Sequence, residues 1–136
     1  MTIRVEEYTR GDGSNPYRKW FDRLSVPAAQ KVMKISTKLM LGNTSGLKPV
    51  GHGVAEWKVD WGAGLRVYVY QDGNTLILLL GGSDSKQKQQ PAIDEAISLA
   101  TEYKTRKKVD ARRLANEIRR AATDKGQKGR GAGKRH

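Results

Sequence analysis

Glu56, Lys58, Arg66 and Tyr68 stand at alternate positions in two short runs, VAEWKVDW (54–61) and GLRVYVYQ (64–71). Alternate side chains of an extended strand share a face. The spacing therefore puts a carboxylate, two cations and a phenol on one side of a sheet, while Trp57, Val59, Trp61, Val67 and Val69 take the other. A planar guanidinium forks onto phosphate oxygens better than an ammonium does, and the substrate that suits such a face is a phosphodiester. A third run, NTLILLLGG (74–82), is followed directly by Lys86 and Gln89. The alternative for Arg66 is an ion pair with Glu56 or Asp60.

These residues need a framework, and the surrounding sequence supplies one. TIRVEEY (2–8) alternates as an edge strand and stops at Gly11, Gly13 and Pro16. Tyr17, Trp20, Phe21 and Leu24 then recur at helical spacing from Asn15 or Pro16. A second helix runs from near Pro27 to about Leu41, with Ala28, Val32, Ile35 and Leu39 on one stripe and Lys31, Lys34 and Lys38 on another. NTSGLKPVGHG (43–53) reads as an irregular loop. The three strand runs, joined at Gly62-Ala63-Gly64 and Asp72-Gly73-Asn74, form an antiparallel meander, with LILLLGG covered on both faces. Pro91 opens a closing helix whose core stripe is Ile93, Ala96, Ile97, Ala100 and Tyr103. Trp20, Phe21, Trp57 and Trp61 are read as core.

The fold class is thus α+β. Residues 1–103 form one domain, 104–122 a basic helical extension and 123–136 a disordered basic tail. No internal repeat is evident. The chain has no Cys and two His among 136 residues, which excludes disulfides and thiolate chemistry and calls for no metal or cofactor. No apolar run approaches the ~20 residues of a membrane helix, and MTIRVEEYTR lacks the layout of a secretion signal, so a cytoplasmic protein with no membrane partner is expected. Of the net charge of +12, most lies at one end: residues 104–136 hold 13 basic and 3 acidic side chains, against 13 and 11 before them. That asymmetry points to a polyanion, with nucleic acid or a ribosome first, the alternative being a solubilising or incidental tail.

Over most of residues 1–103 the order of elements resembles the RelE/ParE toxin superfamily. The HigB-like "addiction module killer" branch is resembled more closely, in WFDRL (20–24), LMLGN (39–43), LKPVGHGVAEWKVDWGAGLRVYVY (47–70), and LLLGG followed by Lys86, Gln89, Ile93 and Ala96. The resemblance implies a toxin of a type II toxin–antitoxin pair, commonly a ribosome-dependent mRNA endonuclease, held in check by a helix-turn-helix antitoxin encoded nearby. It also implies that Arg66 matches the superfamily's recurrent catalytic arginine. The chain departs from the branch pattern at Ser83-Asp84-Ser85, at Ala92, and in its long basic extension.

Metal-free RNA cleavage requires a 2′-hydroxyl to lose a proton, phosphorus to be attacked, and the leaving 5′-oxygen to gain a proton. Arg66 is assigned to the charge that develops on the phosphate. Lys58 is either the base or, as favoured here, a phosphate ligand. Glu56 is the base or a structural partner of the cations. Lys86 is placed as electrostatic stabiliser or proton donor at the leaving oxygen. Gln89 orients RNA, Tyr68 stacks on a base, offers its hydroxyl or belongs to ordinary sheet packing, and His52, Lys48, Arg112 and Arg113 complete the RNA-binding candidates. Two other functions remain open: a ParE-type inhibitor of DNA gyrase, and a non-enzymatic nucleic-acid-binding protein working through its tail.

Overall fold

The computed structural model describes residues 3–62 and 64–130, with side chains through residue 124. The first strand, β1 (Arg4–Glu7), leads into α1 (Pro16–Phe21), which is capped by Asn15 through a bond from the Arg18 N–H to its side chain at 2.9 Å. Ser25 caps α2 (Val26–Met40) in the same way, receiving the Ala28 N–H at 3.3 Å. Both caps precede a proline whose missing N–H costs nothing in a first turn. Gly42, at φ 86°, ends α2: the Asn43 N–H reaches the Lys38 carbonyl and the Gly42 N–H reaches that of Leu39.

Five strands follow one sheet order, β1-β5-β4-β3-β2. They include β2 (Leu47–Gly51), β3 (Val54–Lys58), β4 (Arg66–Asp72) and β5 (Leu76–Ser83). β1 runs parallel to β5 and the other pairs are antiparallel. The meander of β3, β4 and β5 is as the sequence reading has it. The stretch 43–53 is not: residues 47–51 are a strand, not loop. Pro49 cannot donate to a ladder, but β2 is an edge strand, where that loss is tolerated.

One sheet face packs on the helical hairpin. Trp57, Val67, Val69, Ile77 and Leu79 share a core there with Tyr17 and Trp20 of α1 and Ala28, Val32, Ile35 and Leu39 of α2. The alternation expected through Trp61 breaks early. β3 ends at Lys58, and the Trp61 N–H turns back onto the Val59 carbonyl at 2.8 Å, which leaves Trp61 40% exposed outside the core.

The other face is also covered. Val54, Tyr68, Leu78 and Leu80 are buried, as are Ile93, Ala96, Leu99 and Ala100 on one stripe of the last helix, α3 (Gln89–Arg130). Ile97 Cδ1 lies 3.9 Å from where a Cβ would stand on Gly51, so the first turns of α3 lie over this face. The sequence suggested a closing helix, a separate extension and then disorder from residue 123; the backbone is instead one helix to Arg130. Residues 131–136 lie outside the described residues.

The chain divides into two compact units, one ending at Thr101 and the other beginning at Glu102. In the second unit every residue from 105 to 124 is exposed. Among the described residues no helix is long and apolar enough to cross a membrane.

Candidate functional site

Strand register decides which of the chemical candidates meet. Across β2, β3, β4 and β5 one row reads Lys48, Glu56, Tyr68, Gly81, and the next reads Lys58, Arg66, Ser83 from β3 to β5. Directly opposed residues point to the same side of a sheet. Two diagonal contacts tie the rows together. The Arg66 Nε–H donates to Glu56 Oε2 at 3.1 Å, and the Tyr68 hydroxyl and Ser83 Oγ share a hydrogen bond at 3.0 Å.

Arg66 opens β4, the middle strand, and its side chain retains 10% of its exposure while that of Glu56 retains 13%. Of the two ion pairs open to Arg66 in the sequence, the one with Glu56 forms. The pair leaves part of the guanidinium unmet: Arg66 Nη1 is buried and has no hydrogen-bond partner. An unmet buried donor costs about 1–3 kcal/mol, so this group is held in place at the expense of its own hydrogen bonding. The combination is a fixed guanidinium whose orientation is set by a carboxylate.

Tyr68 does not belong among the RNA-contacting residues. It is fully buried, so neither ring face is open to a base, and its hydroxyl is engaged by Ser83. Burial pushes the phenol above its usual pKa; the Ser83 hydrogen bond opposes this, the charge of Glu56 adds to it and that of Arg66 opposes it. Tyr68 is the floor under the Glu56–Arg66 pair. Ser83, named in the sequence only as part of the Ser83-Asp84-Ser85 departure, is buried and shares that role.

No known protein-family model matches the chain. An uncharacterized protein of Haemophilus influenzae is 33% identical to it over 103 residues, a match that covers 75% of this chain and 97% of that protein. The chain belongs to that protein's family. The remaining quarter of the chain falls outside the match with this family member.

The other candidates divide by position. Lys58 is exposed and directly opposite Arg66 in the register. Lys86 is exposed in the loop after β5, and that loop is laid on the turn before Arg66: a Cβ on Gly64 would come within 2.7 Å of the Ser85 backbone and 2.8 Å of Lys86 N. Only a glycine permits that approach. Gln89 begins α3 half-buried, and its N–H donates to the Lys86 carbonyl at 3.2 Å, so both sit in one turn. Lys48 is exposed on the edge strand, opposite Glu56.

His52 is corrected. It turns the β2–β3 hairpin at φ 55°, beside Val54, whereas Lys58 and Arg66 lie at the other end of β3. Four residues of strand separate the ends, roughly 13 Å, so His52 does not share the Arg66 cluster. Arg112 and Arg113 are exposed on α3 within the second unit. Among the described residues no group of His, Asp and Glu could hold a metal ion.

A second ion pair holds the fold rather than the site. Arg18 of α1 bridges Glu7 of β1, through Nε to Oε1 at 3.1 Å and Nη2 to Oε2, and Asn15 adds a bond to the same carboxylate at 2.7 Å. The Arg18 hydrogen bond is the main reason that the Glu7 carboxyl titrates below its ordinary value.

Proposed function

We propose that this chain is the toxin of a type II toxin–antitoxin pair in the HigB-like branch of the RelE/ParE superfamily, and that it cleaves mRNA on the translating ribosome without a metal. The α+β order of strand, helix hairpin, antiparallel strands and helix supports this reading. The observation that carries the reading is Arg66: nine-tenths buried on the middle strand, oriented by Glu56, with Nη1 unpartnered and Lys58 opposite.

In this reading Arg66 receives the charge that develops on a phosphate's non-bridging oxygens. A fixed donor in a mostly dry site needs no reorganisation as that charge grows, and removing one such donor typically costs 10²–10³-fold in rate. Lys58 holds a neighbouring phosphate. Glu56, with Oε2 committed to Arg66, positions the guanidinium, and Oε1 is the atom nearest to base duty toward a 2′-hydroxyl. Lys86, carried on the loop over Gly64, supplies the cation for the leaving 5′-oxygen. The partners are the ribosome with its message and a helix-turn-helix antitoxin encoded nearby, and the compartment is the cytoplasm.

The test is a reconstituted translation reaction with mapped 5′ ends, run with the parent chain and with Arg66→Ala. Cuts that require both ribosomes and Arg66 agree with the proposal. Intact message together with DNA breaks trapped on gyrase contradicts it in favour of the gyrase-inhibiting branch.

A further inference from the structure

The sequence of α3 contains a seven-residue repeat, where no internal repeat was expected. Residues 110–116 read Asp-Ala-Arg-Arg-Leu-Ala-Asn, residues 117–123 read Glu-Ile-Arg-Arg-Ala-Ala-Thr, and Asp124 stands where a third unit would begin. Seven residues are close to two helical turns, so equivalent positions stack about 10.5 Å apart along one side. Three stripes result. Arg112, Arg113, Arg119 and Arg120 span an arc of about 120°, with Asn116 and Thr123 between them. Asp110, Glu117 and Asp124 flank it, and Ala111, Leu114, Ala115, Ile118, Ala121 and Ala122 occupy the far side.

All four arginines are exposed, and among the described residues none has an ion-pair partner, although Arg113–Glu117 and Arg120–Asp124 have the i,i+4 spacing for one. Arg119 Nη1 donates to Asn116 Oδ1 at 3.3 Å. The stripe is therefore a row of uncompensated guanidinium groups at a fixed spacing.

We propose that this arginine stripe docks double-stranded RNA through its phosphates, without reading sequence. The choice of RNA over DNA rests on the mRNA and ribosome reading above. The choice of duplex rests on composition: Tyr103 is the last aromatic residue of the chain, whereas proteins that hold single strands stack bases on aromatic rings. A membrane surface fits less well, because a helix lying in a bilayer interface buries bulky apolar and aromatic side chains and the far side here offers only Leu114 and Ile118 among alanines. The acidic stripe repels a polyanion on one flank and so fixes the side from which the duplex approaches.

The test uses the full chain carrying Arg66→Ala, so that the probe stays intact, and an RNA hairpin with a stem of roughly 16 base pairs. Affinity is measured against salt for this parent, for the same chain with Arg112, Arg113, Arg119 and Arg120 changed to Gln, and for a control with Lys19, Arg23, Lys31 and Lys34 changed to Gln. Gln keeps helix propensity close to that of Arg, and both variants lose the same formal charge. Each phosphate contact contributes about 0.9 to the log–log salt slope of a duplex. The parent should therefore lose about a hundredfold more affinity between 50 and 200 mM salt than the stripe variant, with the control following the parent.

Equal behaviour of the two variants overturns the proposal, as does unchanged affinity in the stripe variant. Tighter binding to a DNA duplex, to a single strand or to anionic vesicles overturns the assignment to duplex RNA. Stripe-dependent RNA binding in a chain whose Arg66-intact form cuts no message on ribosomes would retain the docking surface and reject the nuclease. Cutting without stripe-dependent binding would do the reverse.

Discussion

Replacing Glu56 by Gln tests the Glu56–Arg66 pair where its consequence is largest. The substitution preserves volume and one carbonyl acceptor while it removes the countercharge of a guanidinium that retains only 10% exposure. Breaking a buried pair from one side typically costs 3–5 kcal/mol, because the remaining charge is stranded. Glu56 itself retains 13% exposure and the new amide can still accept from Nε, so the lower end applies, about 3 kcal/mol. For a domain near 100 residues this lowers Tm by about 12 °C or more.

Arg66→Met strands the carboxylate instead and should cost a similar amount. The double variant Glu56→Leu with Arg66→Met puts apolar side chains of comparable size in both places, and replacement of a whole buried pair is often close to neutral. Urea unfolding of the parent, Glu56→Leu, Arg66→Met and the double variant then gives a coupling free energy of up to about 6 kcal/mol, two single losses of about 3 kcal/mol against a near-neutral double. Additivity within about 0.5 kcal/mol would refute the reasoning. It would mean that Arg66 is not held by Glu56, and that the oriented guanidinium on which the site is built does not exist in solution.

Gly64→Ala places a methyl group within 2.7 Å of the Ser85 backbone; it should shift the Lys86 loop and slow message cleavage about tenfold, while thermal unfolding shows a loss of only about 1–3 kcal/mol. Tyr68→Phe removes the bond to Ser83 Oγ and should cost about 1 kcal/mol by urea titration, with cleavage within about twofold of the parent, since the buried ring serves as floor. Glu7 titrates below its ordinary value because of Arg18. The stability it contributes is therefore complete above the unfolded glutamate value of about 4.3 and disappears as pH falls through the lower folded value. Glu7→Gln should destabilise by up to about 1 kcal/mol at pH 7, discounted for the exposure of Arg18, and by nothing measurable near pH 2. Equal destabilisation at both pH values would contradict that sign.

Much of the site was legible because a strand's two-residue period is strict. Glu56, Lys58, Arg66 and Tyr68 follow from it without reference to tertiary structure, and Asn15, Ser25 and Gly42 mark helix ends by local chemistry alone. What was hidden depends on neighbours. The polar lettering of the Tyr68 face suggested solvent, but the first turns of α3 cover part of it. Pro49 and the nearby glycines disguised an edge strand that needs few ladder bonds of its own. Trp61 left the core through one backbone turn. His52 is close to Arg66 in no coordinate that the sequence displays, and strand direction alone places it at the far end. The seven-residue repeat of α3 is written in the sequence, but it becomes three stripes only because the helix continues unbroken through residues 110–124.

The most direct test of the central claim is the single-turnover rate of cleavage of a ribosome-bound message by the parent chain and by Arg66→Ala, with a 2′-deoxy nucleotide placed at the mapped cut in a parallel substrate. The account predicts a loss of about 10²–10³-fold for Arg66→Ala and no cleavage of the deoxy substrate. Cleavage by Arg66→Ala at the parent rate, or of the deoxy message at any comparable rate, would contradict it.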